Sequence, residues 1–296
     1  MFTLTDILVG FALPAVVCGV ILLAAWQPWL GHARDGRWAG AIAIGAGYSI
    51  AYVRLVGDLH FPPASVDNWI VCMMPVVMVL GILFCRLPPA PLLRLAAVLV
   101  VSVVLSWLLI KPLIGGEMTS GAAALQIAAG AFAMTSWWLV LNELARHGPR
   151  MTAPGIVVIV ATGASVVLSE NGLAIRGGLP LAALAAMALA AAIIAAITPR
   201  FKLAGGGTLA VTVIVFGTFL YAYFYVAEPT PRLLAAMPIL TGSPALAWLA
   251  WLPGVRCRPA WQRGVVALAA VLLAVAGAVA LVEWPGHAPT ADSAEL

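Results

Sequence analysis

The sequence predicts an all-α fold: a polytopic transmembrane helix bundle of about ten spans with both termini outside. Three observations predict it. Of 296 residues, 64% are hydrophobic and 9% charged, where an ordinary soluble domain is about a quarter charged. Apolar runs of about 20 residues, enough to cross roughly 30 Å of hydrocarbon, follow one another along the chain. Positive charge also alternates from one connection to the next.

Spans are predicted near 3–26, 37–57, 68–86, 91–113, 119–143, 154–172, 177–198, 206–228, 232–252 and 262–283. The first follows Met-Phe-Thr-Leu-Thr-Asp, with no basic lead and no cleavage site of the secretory kind, and reads as a retained helix. Prolines sit inside the first (Pro14), the third (Pro75) and the ninth (Pro238, Pro244), where each removes an amide donor and kinks or interrupts the helix. The seventh, nearly all Ala and Leu, and the tenth, containing Ala-Val-Ala-Gly-Ala-Val-Ala-Leu, suit close small-residue packing and read as buried scaffold. Ala-Gly-Gly-Gly-Thr before the eighth lacks the spacing of a phosphate loop and reads as a flexible hinge. Residues 1–286 make one integral membrane domain and 287–296 a short polar tail.

Charge gives the orientation. Eleven of the fifteen Lys and Arg fall in alternate connections: Arg34, Arg37, Arg86, Arg94, Arg146, Arg150, Arg200, Lys202, Arg256, Arg258 and Arg263. The intervening connections hold one each, Arg54, Lys111, Arg176 and Arg232, and of eleven acids only Asp35 and Glu143 fall on the basic side. Because short cytoplasmic loops retain positive charge, the basic side faces the cytoplasm. The net charge of +4 then reflects topology, and the clustered basic surface of a nucleic-acid binder is missing. Tryptophans near both ends of the spans read as headgroup anchors. On the outer side, Lys111 with Glu117 and Glu170 with Arg176 suit local ion pairs, as do Arg54 with Asp58 and Glu228 with Arg232.

Four scattered cysteines without a C-x-x-C motif, and His residues isolated at 32, 60, 147 and 287, give no ligand set for zinc or haem and no disulfide framework. No metal and no cofactor is expected. Continuous apolar helical runs, without the alternation of a barrel, indicate a bacterial inner membrane.

Polar groups inside spans are the functional pointers, because each must pair or line an aqueous path. Gln126 in the fifth span is the strongest uncharged candidate, its plainer role being a hydrogen bond between helices. Thr162, Ser165 and Ser169 share one face of the sixth span and lead to Glu170; they line a path or return bonds to their own helix. Thr241, Gly242 and Ser243, ahead of Pro244, mark an interrupted ninth helix of the kind on which transporters bind solute. With no carboxylate expected in the interior, a neutral or weakly polar solute is favoured. The outer loop Gly-Asp-Leu-His-Phe-Pro-Pro-Ala-Ser-Val-Asp-Asn-Trp adds Asp58, His60 and Asp67.

Ten spans in about 300 residues resemble the drug/metabolite transporter superfamily in size and helix number, a family that usually keeps both termini in the cytoplasm. Leu-Ser-Glu-Asn-Gly-Leu-Ala-Ile-Arg-Gly-Gly and Gly-Gly-Gly-Thr-Leu-Ala-Val-Thr-Val-Ile-Val-Phe-Gly-Thr-Phe-Leu-Tyr-Ala-Tyr, with the Trp-Leu-Pro-Gly junction, resemble uncharacterised planctomycetal multi-span proteins, a resemblance that implies no activity. Three function classes follow from the residues. The first is a small-solute permease with its site at the ninth helix. The second is a non-catalytic structural subunit or assembly factor bound to other membrane subunits. The third is a lipid-active enzyme using the Asp58, His60 and Asp67 loop. The lipid bilayer is the common partner.

Overall fold

The computed structural model describes residues 8–26, 36–57, 61, 63, 65–86, 90–198, 201–225 and 230–283. The tail at 287–296 and Asp58, His60 and Glu228 lie outside them. Helix makes up most of the described residues and no strand occurs among them. The elements in order are α1 (Leu13–Trp26), α2 (Ala39–Val56), α3 (Asn68–Arg86), α4 (Pro91–Ile110), α5 (Ser120–His147), α6 (Thr152–Leu168), α7 (Leu179–Ile197), α8 (Gly206–Tyr225), α9 (Pro231–Leu246) and α10 (Ala260–Glu283).

Eight helical runs among the described residues are long and apolar enough to cross a membrane. One, Thr152–Ile197, is 46 residues, about twice what a bilayer needs. It is no single rod. Asn171, Gly172 and Leu173 leave helical geometry, Gly172 at φ 78° and ψ 3°, the left-handed conformation that favours glycine at a helix end. The chain reverses there, and α6 and α7 pack along each other. A shorter apolar helix, Gly10–Trp26, precedes the eight.

The prolines are absorbed with little disruption. Pro14 cannot give an amide to Gly10, and the wider π-helical turn Leu8–Ala12 falls there. In α3 the regular helix is interrupted at Met73, just ahead of Pro75. The break expected in the ninth span between Leu240 and Pro244 does not occur. Helical backbone runs through both prolines to Leu246 and then tightens into a 3₁₀ turn at Ala247–Trp251.

The centre of the bundle is α8, 83% of whose window is buried. Its sequence has no charged residue and carries glycines and threonines, which allow close approach and hydrogen bonding between membrane helices. It packs against α2, α3, α4 and α5 and more lightly against α6, α7 and α9, while α1 packs on α2 and α7, and α10 packs on α6 and α9. Its threonines are satisfied locally: Thr212 Oγ1 donates to Thr208 O at 2.7 Å and Thr218 Oγ1 to Ile214 O at 2.8 Å. Its entry is held by Asn142 of α5, whose Oδ1 accepts from Gly205 N at 2.9 Å, pairing an amide that a helix start leaves unbonded.

The Gly-Gly-Gly stretch is therefore a packing device, which corrects the expected hinge. Gly205 stands at φ 87°, and a methyl group on Gly206 would overlap Gly81 Cα and come within 2.7 Å of Ala41 Cβ. Hydrogen in place of a side chain lets α2, α3 and α8 meet backbone to backbone. The seventh span is enclosed by α1, α2 and α6, as expected. The tenth is enclosed only in part. Only 22% of its window is buried: Gly264, Ala267 and Ala278 pack inward with Val271 and Val275, while a side chain on Gly277 would meet nothing within 4 Å, so most of its surface is left open.

Tryptophans divide likewise. Trp107, Trp248 and Trp261 are exposed as anchors should be, whereas Trp26, Trp137 and Trp138 are buried against protein, Trp26 with its ring 5.6 Å from Phe201 and Trp137 5.7 Å from Phe216. Neither outer ion pair between described residues forms: Lys111 lies over the Trp107 ring at 5.0 Å and Arg176 donates to Tyr221 Oη at 3.4 Å. Gly206→Ala should lower the stability of the detergent-purified protein by about 1–3 kcal/mol, the usual cost of overpacking. Gly277→Ala should leave the thermal midpoint within a degree or so of wild type, and equal effects would refute the packing role.

Candidate functional site

The polar residues expected inside the spans mostly bond within their own helices. In α9, Thr241 Oγ1 donates to Met237 O at 2.9 Å and Ser243 Oγ to Leu240 O at 2.8 Å. Leu240 is the carbonyl that Pro244 leaves without an amide. Ser243, itself buried, fills that vacancy, which is why Thr-Gly-Ser-Pro passes through without a break. Gly242 is exposed, and a side chain on it would meet nothing within 4 Å.

On the sixth span, Thr162 is exposed, while Ser165 Oγ donates to Gly178 O at 2.7 Å. A side chain on Gly178 would overlap Ser169 Oγ, so both serines serve to close α6 onto the start of α7. Glu170 is exposed at the hairpin tip. Next to it, Asn171 Nδ2 donates to Val167 O at 2.7 Å and Asn171 Oδ1 accepts from Thr230 Oγ1 at 3.0 Å. Gln126 is half-buried on α5 and makes no hydrogen bond among the described residues. The structure thus joins Ser165 and Ser169 to one hairpin and gives them no bond to Gln126 or to Thr241, Gly242 and Ser243.

A different group of polar side chains converges at the opposite end from the arginine-rich connections. Four of the chain's five tyrosines stand there at helical i, i+4 spacing, Tyr48 and Tyr52 on α2 and Tyr221 and Tyr225 on α8. The first pair has ring centroids 6.1 Å apart and the second stacks at 5.4 Å. Into this group the start of α3 brings Asp67, 1% exposed, and Asn68, also buried. This corrects the expected interior without a carboxylate.

Tyr52 Oη donates to Asp67 Oδ2 at 2.6 Å, a short O–H···O hydrogen bond. The same hydroxyl lies 2.8 Å from Asn68 Oδ1. It has one proton, so the amide completes the pair when its –NH₂ faces the phenol oxygen. Asp67 Oδ1 is buried with no partner, and the buried Tyr48 Oη lies beside the Thr218 hydroxyl, which donates to Ile214 and keeps lone pairs with which to accept. Arg176, exposed on the connection between α6 and α7, donates to Tyr221 and lies within the field of Asp67. Tyr225 Oη donates to Leu109 O at 2.8 Å and ties α8 to α4.

These groups come from α2, α3, α8 and the segment Ser169–Gly178. Chemically they offer a buried carboxylate oxygen, buried phenols in its field, aromatic faces and a guanidinium toward solvent. No group of three His, Cys, Asp or Glu side chains able to hold a metal occurs among the described residues. The signal available in the sequence was the Tyr-x-x-x-Tyr spacing, present once on the second span and once on the eighth, with Asp-Asn directly ahead of the third.

No protein-family model matches the chain, and no curated protein is significantly similar to it.

If Ser243 replaces the amide that Pro244 lacks, Ser243→Ala should lower stability by about 1 kcal/mol, the scale of one hydrogen bond in a membrane protein. Gly242→Ala should not. Thermal unfolding of both purified variants measures this, and an unchanged Ser243→Ala protein would show the Leu240 carbonyl to be paired in another way.

Proposed function

We propose that the chain is a permease for small solutes carrying an ammonium or similarly strong donor group, with its site at Asp67. One observation supports this above the others: Asp67 Oδ1 is the single carboxylate oxygen among the buried, unpartnered side-chain atoms of the described residues. A desolvated carboxylate without full pairing is far more costly than an unpaired hydroxyl, and ionisable groups in membrane helices mark substrate and ion pathways. In this reading Asp67 Oδ1 accepts from the solute. Tyr48 and Tyr52 present aromatic faces suited to a cation, and Arg176 guards the entrance or meets an acidic group on the same solute. The hydroxyls of Thr241 and Ser243 are spent on their own helix, so the proposed site moves from the ninth span to the second, third and eighth.

The same reading has the chain cross a bacterial inner membrane ten times, with both termini and the Asp67 end outside. The division of the 46-residue run at Gly172 and the shorter helix Gly10–Trp26 support the number, and the alternation of arginines supports the direction.

Transport is tested in proteoliposomes with a panel of labelled amines, amino acids and neutral sugars. At least one amine-bearing solute should accumulate, Asp67→Asn should reduce its uptake by tenfold or more, and Glu170→Gln should leave it unchanged. Uptake of no solute, or wild-type uptake by Asp67→Asn, would end the permease reading in favour of a structural subunit. Topology has its own test in a background lacking the native cysteines. Cysteine at Ser65 should react with an impermeant maleimide in intact cells and cysteine at Gly148 only after lysis; the reverse pattern would invert the orientation.

A further inference from the structure

At the arginine-rich end, two cavities lie side by side. The smaller, about 110 Å³, is lined by Arg37, Arg94 and Arg146 with Phe84, Cys85 and Gly205. The larger, about 210 Å³, runs between α4 and α5 along Leu92, Leu95, Trp138 and Leu139, and shares Arg94 and Arg146 with the first. Leu92 and Leu139 are exposed at its edge, where hydrocarbon would meet them. One compartment is cationic; the next, with Asn142 and Glu143 also in its lining, is mostly apolar and open to the side. That is the shape of an acidic phospholipid, a phosphate followed by the start of an acyl chain.

Arg94 and Arg146 line both cavities, Arg37 the smaller and Glu143 the larger, with Glu143 3.6 Å from Arg146 and 2.9 Å from His147. Arg94 donates to Phe84 O at 3.3 Å, keeps a buried Nε without a partner, and feels the like charges of Arg146 and Arg37. Lys202 Nζ, donating to Arg146 O at 2.6 Å, adds a further positive charge at the rim. Guanidiniums held together against their own repulsion are stabilised by an anion, and planar forked donors suit phosphate oxygens. Basic pockets between membrane helices on the cytoplasmic side are sites of acidic lipid headgroups.

We propose that this double cavity binds an acidic phospholipid of the cytoplasmic leaflet, its phosphate between Arg37, Arg94 and Arg146 and an acyl chain along Leu92, Leu95 and Trp138. The site is separate from Asp67, and it stands whether or not the chain transports a solute.

The test uses the purified full-length protein and native mass spectrometry with phosphatidylglycerol and phosphatidylcholine of the same chain length. Wild type should retain phosphatidylglycerol about tenfold more than phosphatidylcholine, the scale of one lost charge-assisted pair. Arg94→Gln should remove most of that preference and Arg258→Gln, an exposed arginine at the same end, should keep it. Should Arg94→Gln fail to fold, the wild-type comparison and Arg146→Gln carry the test. Equal retention of the two lipids, or an equal loss in Arg258→Gln, would overturn the proposal by reducing it to general surface charge. A rise in thermal midpoint with inorganic phosphate as large as with phosphatidylglycerol would overturn the lipid assignment in favour of a soluble anion.

Discussion

The bundle is arranged around the need to enclose α8 on every side. A helix in lipid gains little from hiding apolar surface, because the acyl chains are as apolar as leucine, so close van der Waals contact and hydrogen bonds must hold it. Both are supplied at its first turn. Gly206 meets Gly81 and Ala41 with no side chain between them, and Asn142 reaches across from α5 to the Gly205 amide. Fixing that turn sets the positions of α2, α3 and α5 about the centre. At the other end of α8, Tyr221 and Tyr225 are thereby delivered to the same region as Tyr52 and Asp67, some twenty residues of helix away.

Most of the architecture was legible in the amino-acid sequence because a single physical demand, spanning hydrocarbon with a satisfied backbone, dominates it. The predicted apolar runs fall on helices, eight helical runs among the described residues being long and apolar enough to cross a membrane, and the first, predicted near 3–26, is regular α-helix only from Leu13. Which run is central was not legible. The most apolar helix, α10, is among the least enclosed, while α8, with its threonines, glycines and tyrosines, is the most buried. In water apolar character marks the core; in a bilayer it marks the lipid face, and small-residue content alone does not separate the two. The tenth span shows both: Gly264, Ala267 and Ala278 are buried against neighbouring helices while most of its surface is open.

The site was less legible, for two physical reasons. Polar residues in the middle of spans attract attention, yet Ser and Thr there can bond to a carbonyl three or four residues back on the same helix. Thr212, Thr218, Thr241 and Ser243 all do so. Asp67 drew less attention because it stands one residue before an apolar run, where an acid is ordinarily solvated. Only the meeting of α2 with the start of α3, where Tyr52 Oη and Asp67 Oδ2 are 2.6 Å apart, turns an acid at a span end into a buried one. Spacing along a single helix can be read from sequence; a contact between a helix end and the connection that follows it cannot.

The contrast between satisfied hydroxyls and an unsatisfied carboxylate carries more weight than either alone. This chain repeatedly repairs its own polar groups: Ser243 substitutes for a proline's missing amide, Asn142 caps a helix on another segment, and Asn171 braces the tip of a hairpin. Several buried atoms still lack partners, among them the indole nitrogens of Trp137 and Trp138 and the hydroxyl of Ser106. Those are neutral, and each costs on the order of a hydrogen bond. Among the described residues, Asp67 Oδ1 and the guanidinium Nε atoms of Arg94 and Arg263 are the unpartnered buried atoms that belong to acidic or guanidinium groups, and such groups are more costly to leave unpaired than neutral ones. Of these Asp67 Oδ1 alone accepts, and it stands among phenols and within the field of Arg176, which separates it from the hydroxyls that the chain satisfies on their own helices.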